Sequence, residues 1–527
     1  MVPSLLAHTN ISHKHLVEKT FPCRWPHRWR HFFPKKHPWR QFQMAQQRSV
    51  VIWRSCRNEQ QRKRRKRLEC IVFYRNFALG NQKKNIMMKK CISQWLLLAV
   101  LLLSFQTAFV SCSDNADDNR TQVTVPEGQG FFSAEINQLI DDNYPQVMQN
   151  GYAELVIPAT MFDHSIMQYA DYHNGVMSAL NALGYKTFIN GGAVRDAILG
   201  TPIHDLDFST DATPEQMKAL LTGYEVVITT TGGGDIAQAL YSNGDWTDMV
   251  PMHGVNEQLR GKAFIPANAT YGAYSTSLLD DTFGRDLTIN AIYYDYQTGN
   301  IIDYHGGLHD LREHIIRTVY DADAMYPVNP SALIRTVRFA ARYGFDIDQN
   351  TAESIARHMH YCEEKIAGPL NNYYVLKGFG DGCPSRTYQY YKKYGFVDFF
   401  MPMLKNYVGT STYETPLLKA FDYEEGKTKV AAPLAMATLF LPVMKQALGN
   451  KEKTLENITA QWDELEQSSG QKVRFEVDDY SNVRTDMLNI FYVYFSLTGN
   501  SLSAEALESL KSNALYTSGA LLVEAYQ

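Results

Sequence analysis

The chain has 527 residues, of which 45% are hydrophobic and 20% charged, so it is long enough for several domains with ordinary globular cores. Its seven cysteines include no C-x-x-C pair and no even spacing, which argues against a zinc site and a disulfide scaffold. The net charge of -4 hides an asymmetry, because residues 1–111 hold 22 Lys and Arg against 3 Asp and Glu, whereas the remainder holds 29 against 52. An acidic body repels RNA at long range, so any RNA contact there requires a local basic patch.

Residues 1–86 show neither helical nor strand periodicity, and they include the run of six basic residues Arg62–Arg67. Such a run is typical of a nucleic-acid-binding arm. We interpret the segment instead as a disordered upstream extension that follows from a misassigned start codon, with the true start at Met87 or Met88.

Residues 87–112 have the parts of a secretory signal peptide: a basic start, the apolar run WLLLAVLLL and small residues before Cys112. The run is too short for a comfortable membrane-spanning helix. The end of the segment resembles a bacterial lipobox, in which the cysteine is lipidated and becomes the new N-terminus. We therefore predict a membrane-anchored lipoprotein of the cell envelope, with residues 113–164 as a tether and N-terminal extension. The alternatives are a buried helix, an uncleaved anchor, or a cytoplasmic protein if the segment is not a signal.

The next predicted domain, residues 165–322, is an α/β head. Apolar spacing is mostly helical from Ala153 to Leu183, and Tyr185–Ile189 is a β-type run that leads into Gly191 and Gly192. A glycine turn between a strand and a helix lets a phosphate approach the backbone, where free N–H groups and the helix dipole favour an anion. A glycine pair alone is weak evidence for such a site.

The second predicted strand, Asp205–Phe208, bears two carboxylates. Residues two apart on a strand point to one side, so Asp205 and Asp207 share a face. Mg²⁺ takes oxygen ligands and keeps substrate phosphates in its shell, and two such ions can stabilise the attacking and leaving oxygens of a phosphoryl displacement. Taken alone, two carboxylates spaced in this way more often belong to a solvent-exposed strand than to a metal site. Beyond it, Thr213 as N-cap and Pro214 as first helical residue predict the next helix.

Residues 323–408 are predicted to be a helical neck, an RNA-binding-like domain, and residues 409–527 a helical C-terminal domain. Ala332–Tyr343 and Thr351–His360 have the apolar spacing of amphipathic helices. The first of these carries three arginines at helical spacing, which predict a basic stripe toward phosphate or RNA, with a solvated face as the alternative. The stripe consists of Arg335, Arg338 and Arg342. The histidines at 204, 253 and 305 show no metal-ligand spacing, and we interpret them as turn or surface residues.

The stretch GGAVRDAILGTPIHDLDFSTDATPEQ resembles, in order and spacing, the signature of the class II tRNA CCA-adding enzyme and bacterial poly(A) polymerase family. A second stretch, SLLDDTFGRDLTINAIYYDYQTGNIIDYHGGLHDLREHIIRTV, resembles the family's Arg-Asp motif and the strand pair after it. The resemblance continues through IRTVRFAARYGFDID and covers about residues 165–400. It implies an α/β nucleotidyltransferase palm, a mixed sheet with helices, followed by an all-helical neck, body and tail.

The resemblance also implies roles for individual residues. Asp205 and Asp207 would bind catalytic Mg²⁺, while Arg285 and Asp286 would contact the sugar and phosphates of the incoming nucleotide. Asp248 is a weaker candidate for an added metal carboxylate, and an exposed strand residue is its alternative interpretation. The further residues expected at the nucleotide are Gly191, Gly192, Arg195, Asp196, Asn290, Asn329, Arg335 and Arg338.

Two places depart from the family pattern. Gly284 stands where the pattern has the first of two arginines, which removes one nucleotide contact. In the neck, the family has Glu-Asp-Pro and then an Arg two residues after the Pro, and these side chains read the base. Val328, Asn329 and Ala332 stand at these positions here. Only Asn329 offers hydrogen-bonding groups to a base, so the base-reading set of a CCA programme is missing.

These features predict a Mg²⁺-dependent enzyme that transfers a nucleoside monophosphate, AMP from ATP, to an RNA 3′ end such as that of a tRNA. Two alternatives remain open. In the first, the chain is a surface-tethered, non-catalytic binding protein built on this fold, which the acidic body, the replaced base-reading residues and the signal segment favour. In the second, it is a transferase that modifies a non-RNA acceptor. The intact Asp205 and Asp207 favour the enzyme.

Overall fold

The computed structural model describes residues 131–162, 171–201, 203, 206–231, 234–255, 257–265, 273–364, 368–470, 472, 483–499 and 502–527. Within these residues a mixed β-sheet with flanking helices occupies the N-terminal part, and helices occupy the C-terminal part. The predicted fold class, a mixed α/β head followed by a helical region, is confirmed.

The large sheet of the head has eight strands. These are β1 Leu155–Pro158, β2 Thr187–Asn190, β3 Phe208–Thr210, β4 Glu225–Thr231, β5 Gly234–Leu240, β6 Trp246–Pro251, β7 Ile292–Asp295 and β8 Asn300–Asp303. Their spatial order is β1-β8-β7-β2-β3-β6-β5-β4, and neighbours are antiparallel except β3 and β6, which run parallel. Strand β3 is therefore central, between β2 and β6.

Six α-helices accompany the sheet in the described part of the head. They are α1 Ala134–Asn150, α2 Asp171–Ala182, α3 Gly192–Ile198, α4 Pro214–Leu220, α5 Leu278–Thr282 and α6 Gly307–Arg312. Helices α2, α3 and α4 pack on one face of the sheet, where Ile189, Phe208 and Met249 form a fully buried row across β2, β3 and β6. Because side chains alternate along a strand, the residues next to this row point to the opposite face, which we call the site face.

The expectation of a mostly helical stretch from Ala153 to Leu183 is only partly correct. Leu155–Pro158 forms the edge strand β1, paired antiparallel with β8, and α2 begins later, at Asp171. Buried and exposed residues alternate along β1, which is the period of a strand. The second predicted strand, Asp205–Phe208, begins at Phe208 and runs to Thr210.

The predicted start of α4 is confirmed in detail. Thr213 Oγ1 accepts a hydrogen bond from the Gln216 backbone N–H at 3.3 Å, and Gln216 Oε1 accepts one from the Thr213 N–H at 2.8 Å. Pro214 occupies the first helical position, where a proline loses no intrahelical bond. Local sequence therefore determines this boundary.

From Ala322 on, the regular elements of the described residues are helices apart from β10 Asp346–Ile347, which pairs with β9 Ile315–Ile316. The helices are α7 Ala322–Met325, α8 Pro330–Tyr343, α9 Gln349–His358, α10 Tyr361–Glu364, α11 Gly368–Gly380, α12 Pro384–Lys393, α13 Phe396–Phe400, α14 Ser411–Glu425, α15 Ala432–Leu448, α16 Leu455–Ser469, α17 Val483–Thr498, α18 Ala504–Lys511 and α19 Tyr516–Ala525. The predicted helices at Ala332–Tyr343 and Thr351–His360 correspond to α8 and α9.

Several predictions concern residues outside the described ranges. These are the upstream extension 1–86, the signal segment 87–112 with Cys112, the tether up to residue 130, and Asp205. They stay predictions. Among the described residues, no helix is both long and apolar enough to cross a membrane.

Candidate functional site

Two of the predicted carboxylates lie close to the pairing of two neighbouring parallel strands. Asp207 directly precedes β3, and Asp248 lies on β6. Phe208 of β3 pairs with Met249 of β6, so continuing this register back by one residue brings Asp207 to the level of Asp248, with both side chains toward the site face. Asp248 is 6% exposed and accepts a hydrogen bond from Gln238 Nε2 at 2.8 Å, whereas Asp207 is partly exposed.

This pair suits a hard cation. Adjacent strands lie about 4.8 Å apart, so two carboxylates at one level can approach a shared ion, and carboxylate oxygens are the ligands that Mg²⁺ prefers. In the described part of the chain, no group of three or more Asp, Glu, His or Cys residues is placed to hold a metal. The third predicted carboxylate, Asp205, is outside that part.

Arg285 lies on the same face, next to β3. Its Nε donates to the Tyr293 hydroxyl at 2.8 Å, and its Nη2 donates to Ser209 Oγ at 2.9 Å and to Asp281 Oδ2 at 3.2 Å. Ser209 comes two residues after Asp207, so both side chains share the site face. The structure thus brings the predicted nucleotide-contacting arginine close to the strand of the predicted metal ligands.

Four polar residues of this face were not identified from the sequence. They are Asn190, Ser209, Asp281 and Tyr293. Asn190 Nδ2 donates to Ser209 Oγ at 2.9 Å, and Asp281 Oδ2 accepts from Ser209 Oγ at 3.1 Å and from the Tyr293 hydroxyl at 2.9 Å. Burial raises the pKa of Tyr293 well above its ordinary value, so the phenol keeps the proton that it donates. The i, i+4 spacing of Asp281 and Arg285 was the available sequence signal.

Other predicted nucleotide-binding residues meet in a separate buried cluster, the junction cluster, which consists of Arg195, Asp196, Asp286, Asn290, Arg335 and Tyr343. Arg195 is 1% exposed; its Nε donates to Asp196 Oδ1 at 3.0 Å, and its Nη1 donates to Asn290 Oδ1. The Tyr343 hydroxyl of α8 donates to Asp196 Oδ1 at 3.2 Å. The cluster therefore joins α3 of the head to α8.

Asp286 is the central carboxylate of the junction cluster. It accepts hydrogen bonds from Arg335 Nε at 2.5 Å and from Asn290 Nδ2 at 3.2 Å. Burial alone would raise the pKa of Asp286, but the charge and hydrogen bond of Arg335 outweigh it, so the pKa is lowered. Asp286 is thus an ionised partner of α8.

The arginine stripe of α8 is buried. Arg335, Arg338 and Arg342 are 7%, 0% and 8% exposed, so the alternative of a solvated face is wrong. Arg338 makes a forked pair with Asp381, with Nε and Nη2 at 2.8 and 2.9 Å from the two carboxylate oxygens. The stripe packs inside the protein because α8 contacts the head on one side and α11 and α12 on another.

The glycine turn and Asn329 lie at the starts of helices, where Gly191 is buried and Asn329 is exposed. Gly191 precedes α3 with φ 65° and ψ -130°, and a Cβ placed there would have open space around it, so the backbone angle and not crowding requires glycine. Gly192 is partly exposed. Asn329 is exposed directly before α8, where its Oδ1 accepts from Ser331 Oγ at 2.5 Å.

The surface interpretation is wrong for His305. This residue is 2% exposed in the turn after β8, and its Nε2 is 2.7 Å from Thr282 Oγ1. Burial lowers the pKa of His305 to about 4. His253 is partly buried with a lowered pKa, mainly from burial, and His204 is outside the described residues.

Part of the head is similar to known proteins. Residues 187–317 match a family described as Poly A polymerase head domain. The chain is 34% identical over 191 residues to poly(A) polymerase I of Escherichia coli O6:H1, covering 34% of this chain and 39% of that protein. It is also 34% identical over 195 residues to the CCA-adding enzyme of Leuconostoc citreum, covering 36% and 45%.

The matches span less than half the length of these two relatives.

Among solved structures, the Bacillus stearothermophilus CCA-adding enzyme in complex with CTP matches with a TM-score of 0.49 and 22% identity, covering 68% of this chain and 78% of that one. The matched head segment contains β2, β3, β6 and Arg285, whereas α8 lies beyond it.

Proposed function

We propose that the protein is a Mg²⁺-dependent nucleotidyltransferase that adds a nucleoside monophosphate to an RNA 3′ end and releases pyrophosphate. The observation that carries the proposal is the parallel register of β3 and β6, which sets Asp207 and Asp248 at one level of the site face near Arg285. The similarity of residues 187–317 to poly(A) polymerase heads supports this reaction class.

The side chains of the site face act by position and charge. Asp207 and Asp248, with Asp205, would hold the cation, which would supply charge stabilisation to the attacking and leaving oxygens. Arg285, held by hydrogen bonds to Tyr293 and Ser209, contacts the triphosphate and sugar. Its guanidinium needs no reorganisation when the nucleotide enters, because protein partners already orient it.

ATP is the proposed donor. Of the positions at which the family pattern reads the base, Ala332 is fully buried and apolar, and Asn329 supplies the one amide, exposed at the start of α8. One fixed amide does not provide the two hydrogen-bond patterns that alternating addition of C and A requires. Repeated addition of a single nucleotide, as in the related poly(A) polymerase I, fits this set better.

One observation favours a surface-tethered, non-catalytic binding protein. Arg195, Asp286 and Arg335 are buried and bonded within the junction cluster, so they stabilise the contact between α8 and the head whether or not a nucleotide binds. In that case the fold is retained for binding, and the carboxylates of the site face have no catalytic role.

The deciding experiment is incorporation of labelled nucleotide by the purified chain with Mg²⁺, each labelled nucleoside triphosphate in turn, and a tRNA or short RNA. We expect label in the RNA with ATP preferred. Asp207→Asn and Asp248→Asn remove charge with little change in volume, and we expect each to lower incorporation by at least 100-fold.

Asp235→Asn is the matched control for these variants. Asp235 lies on β5 and points away from the site face, where it accepts a hydrogen bond from Thr230 Oγ1 at 2.6 Å. This variant should retain incorporation. A folded wild-type chain that transfers no nucleotide to any RNA would instead support the binding protein or a non-RNA acceptor.

We also propose attachment to a membrane through a lipid on Cys112, on the strength of the signal segment that precedes it. Cys112→Ala should move the protein from the membrane to the soluble fraction of cells that express it. Unchanged fractionation would contradict the anchor, and it would leave the transfer reaction untouched.

A further inference from the structure

Asp281 is the acceptor at which the polar groups of the site face converge. Its Oδ2 accepts hydrogen bonds from Ser209, Tyr293 and Arg285 at 3.1, 2.9 and 3.2 Å, and its Oδ1 accepts one from the His253 backbone N–H at 3.2 Å. The side chain is 7% exposed. These donors come from β3, from β7, and from the segments that follow β6 and α5, so one carboxylate ties four parts of the site together.

Asp281 is also a hydrogen-bond partner of Arg285, and within the site-face network it is the partner that carries a charge. The guanidinium is 11% exposed and lies 5.4 Å above the Tyr293 ring, and its other contacts there are the neutral hydroxyls of Tyr293 and Ser209. Asp281→Asn would remove the negative charge of this ion pair and weaken its hydrogen bond to Nη2, so the guanidinium would be held less firmly against Ser209 and Tyr293. The orientation of Arg285 therefore depends on Asp281.

Ser209 links this pair to the predicted metal ligands. It donates to Asp281, accepts from Arg285, and lies two residues after Asp207 on the same face of β3. The pair of Asp281 and Arg285 thus has a fixed position relative to the strand that follows Asp207.

We propose that Asp281 is a positioning residue that fixes the Arg285 guanidinium beside Asp207 and thereby sets the affinity for the nucleoside triphosphate. The inference rests on the proposed nucleotidyl transfer. Asp281 itself does not contact the substrate; it acts through Arg285. No metal binding is assigned to it, because its oxygens are already engaged by four donors.

The test is steady-state kinetics of Asp281→Asn on the full chain, with Mg²⁺, labelled ATP and the RNA acceptor. We expect KM for ATP to rise on the order of 10- to 100-fold while kcat stays within about threefold, because an interaction lost equally from bound substrate and transition state changes KM alone. A purely structural role would lower the fraction of active protein, which lowers kcat and leaves KM unchanged.

Asp280→Asn is the matched control. Asp280 is the preceding residue on α5 and accepts from Ser275 Oγ at 3.1 Å, outside the network of Arg285. Its kinetics should equal those of the wild type. Tyr293→Phe removes one donor but keeps the charged pair, so its KM should rise by less than that of Asp281→Asn. If Asp281→Asn fails to fold, Asp281→Ser, which also removes the carboxylate, takes its place with the same expected rise in KM.

The outcomes separate the two proposals. An active wild type with unchanged KM in Asp281→Asn, or in Asp281→Ser if that is the folded variant, overturns the positioning role alone. A folded wild type that adds no nucleotide overturns the proposed function and this inference with it. An elevated KM in Asp281→Asn beside a normal Asp280→Asn supports both.

Discussion

Glu424 of α14 is a buried acid with no ion pair among the described residues, and it makes stability depend on pH. The residue is fully buried; its Oε1 accepts from Thr438 Oγ1 at 2.7 Å and its Oε2 has no hydrogen-bond partner. Burial raises the pKa of Glu424 from 4.5 to about 8, so the folded protein retains a proton that the unfolded chain loses.

The sign of the effect follows from this raised pKa. The stabilising contribution is fully present below about pH 4.5 and is lost as the pH rises toward 8, at up to about 1.4 kcal/mol per pH unit. We expect Glu424→Gln to flatten the fall in unfolding free energy between pH 5 and 8, measured by urea denaturation. Asp422→Asn, an exposed change on the same helix, should leave the wild-type slope. Equal slopes in all three proteins would contradict a titrating Glu424.

Residue-scale features of the site were predictable where a motif marks them. Asp207, Asp248 and Arg285 were identified from spacing and resemblance, and the structure places them on one sheet face. Ser209 and Asp281 were not, because their importance arises from contacts between residues 72 positions apart in the chain. Single serine and aspartate residues give no signal until the register of β3 and the position of α5 are known.

At the scale of elements, α8 is held by ion pairs that are removed from water. Arg338 is fully buried and pairs with both oxygens of Asp381 at 2.8 and 2.9 Å. Arg338→Met leaves the Asp381 carboxylate buried without its cation, which costs about 3–5 kcal/mol. We expect this loss in the urea-derived free energy of unfolding.

A double variant separates the energy of the Arg338–Asp381 ion pair from the energy of side-chain packing. Arg338→Met with Asp381→Asn removes the orphaned charge, so it should recover a substantial part of the stability lost in Arg338→Met. If both proteins are equally destabilised, the loss comes from packing around the Arg338 side chain and not from the carboxylate.

Element boundaries were predictable where local chemistry determines them. The capping box of Thr213 and Gln216 fixes the start of α4 by bonds between residues three apart. Strand β1 was missed because Leu155–Pro158 is extended through pairing with β8, which lies about 145 residues later in the chain. Likewise, the arginine spacing on α8 predicted a stripe correctly but not its burial, since that depends on the head and on Asp381.

At the scale of the whole molecule, the junction cluster connects α8 to the head through buried hydrogen bonds. Arg335 reaches from α8 to Asp286, which directly follows Arg285 of the site face, and Tyr343 reaches to Asp196 on α3. A displacement of α8 would therefore be transmitted to the segment that carries Arg285.

The distribution of charge leads to a prediction for RNA binding. Residues 1–111 have a net charge of +19 and the remainder -23, so non-specific RNA binding by the unprocessed chain, before any cleavage at Cys112, should depend on the N-terminal segment. We expect a chain that starts at Met87 to bind single-stranded RNA more weakly than the full chain, with a flatter dependence of affinity on salt. Replacing the six basic residues of Arg62–Arg67 by Gln should reduce the slope of log K against log salt by up to about four, at roughly 0.7 per phosphate contact.

Nucleotide incorporation should respond differently, because it depends on the site face and not on this segment. The shortened chain should keep its kcat at saturating RNA, and KM for RNA should rise. If filter binding shows the same salt slope for both chains, the RNA contact lies within the acidic part. A local basic surface among residues 112–527 would then have to overcome the surrounding charge of -23 at short range.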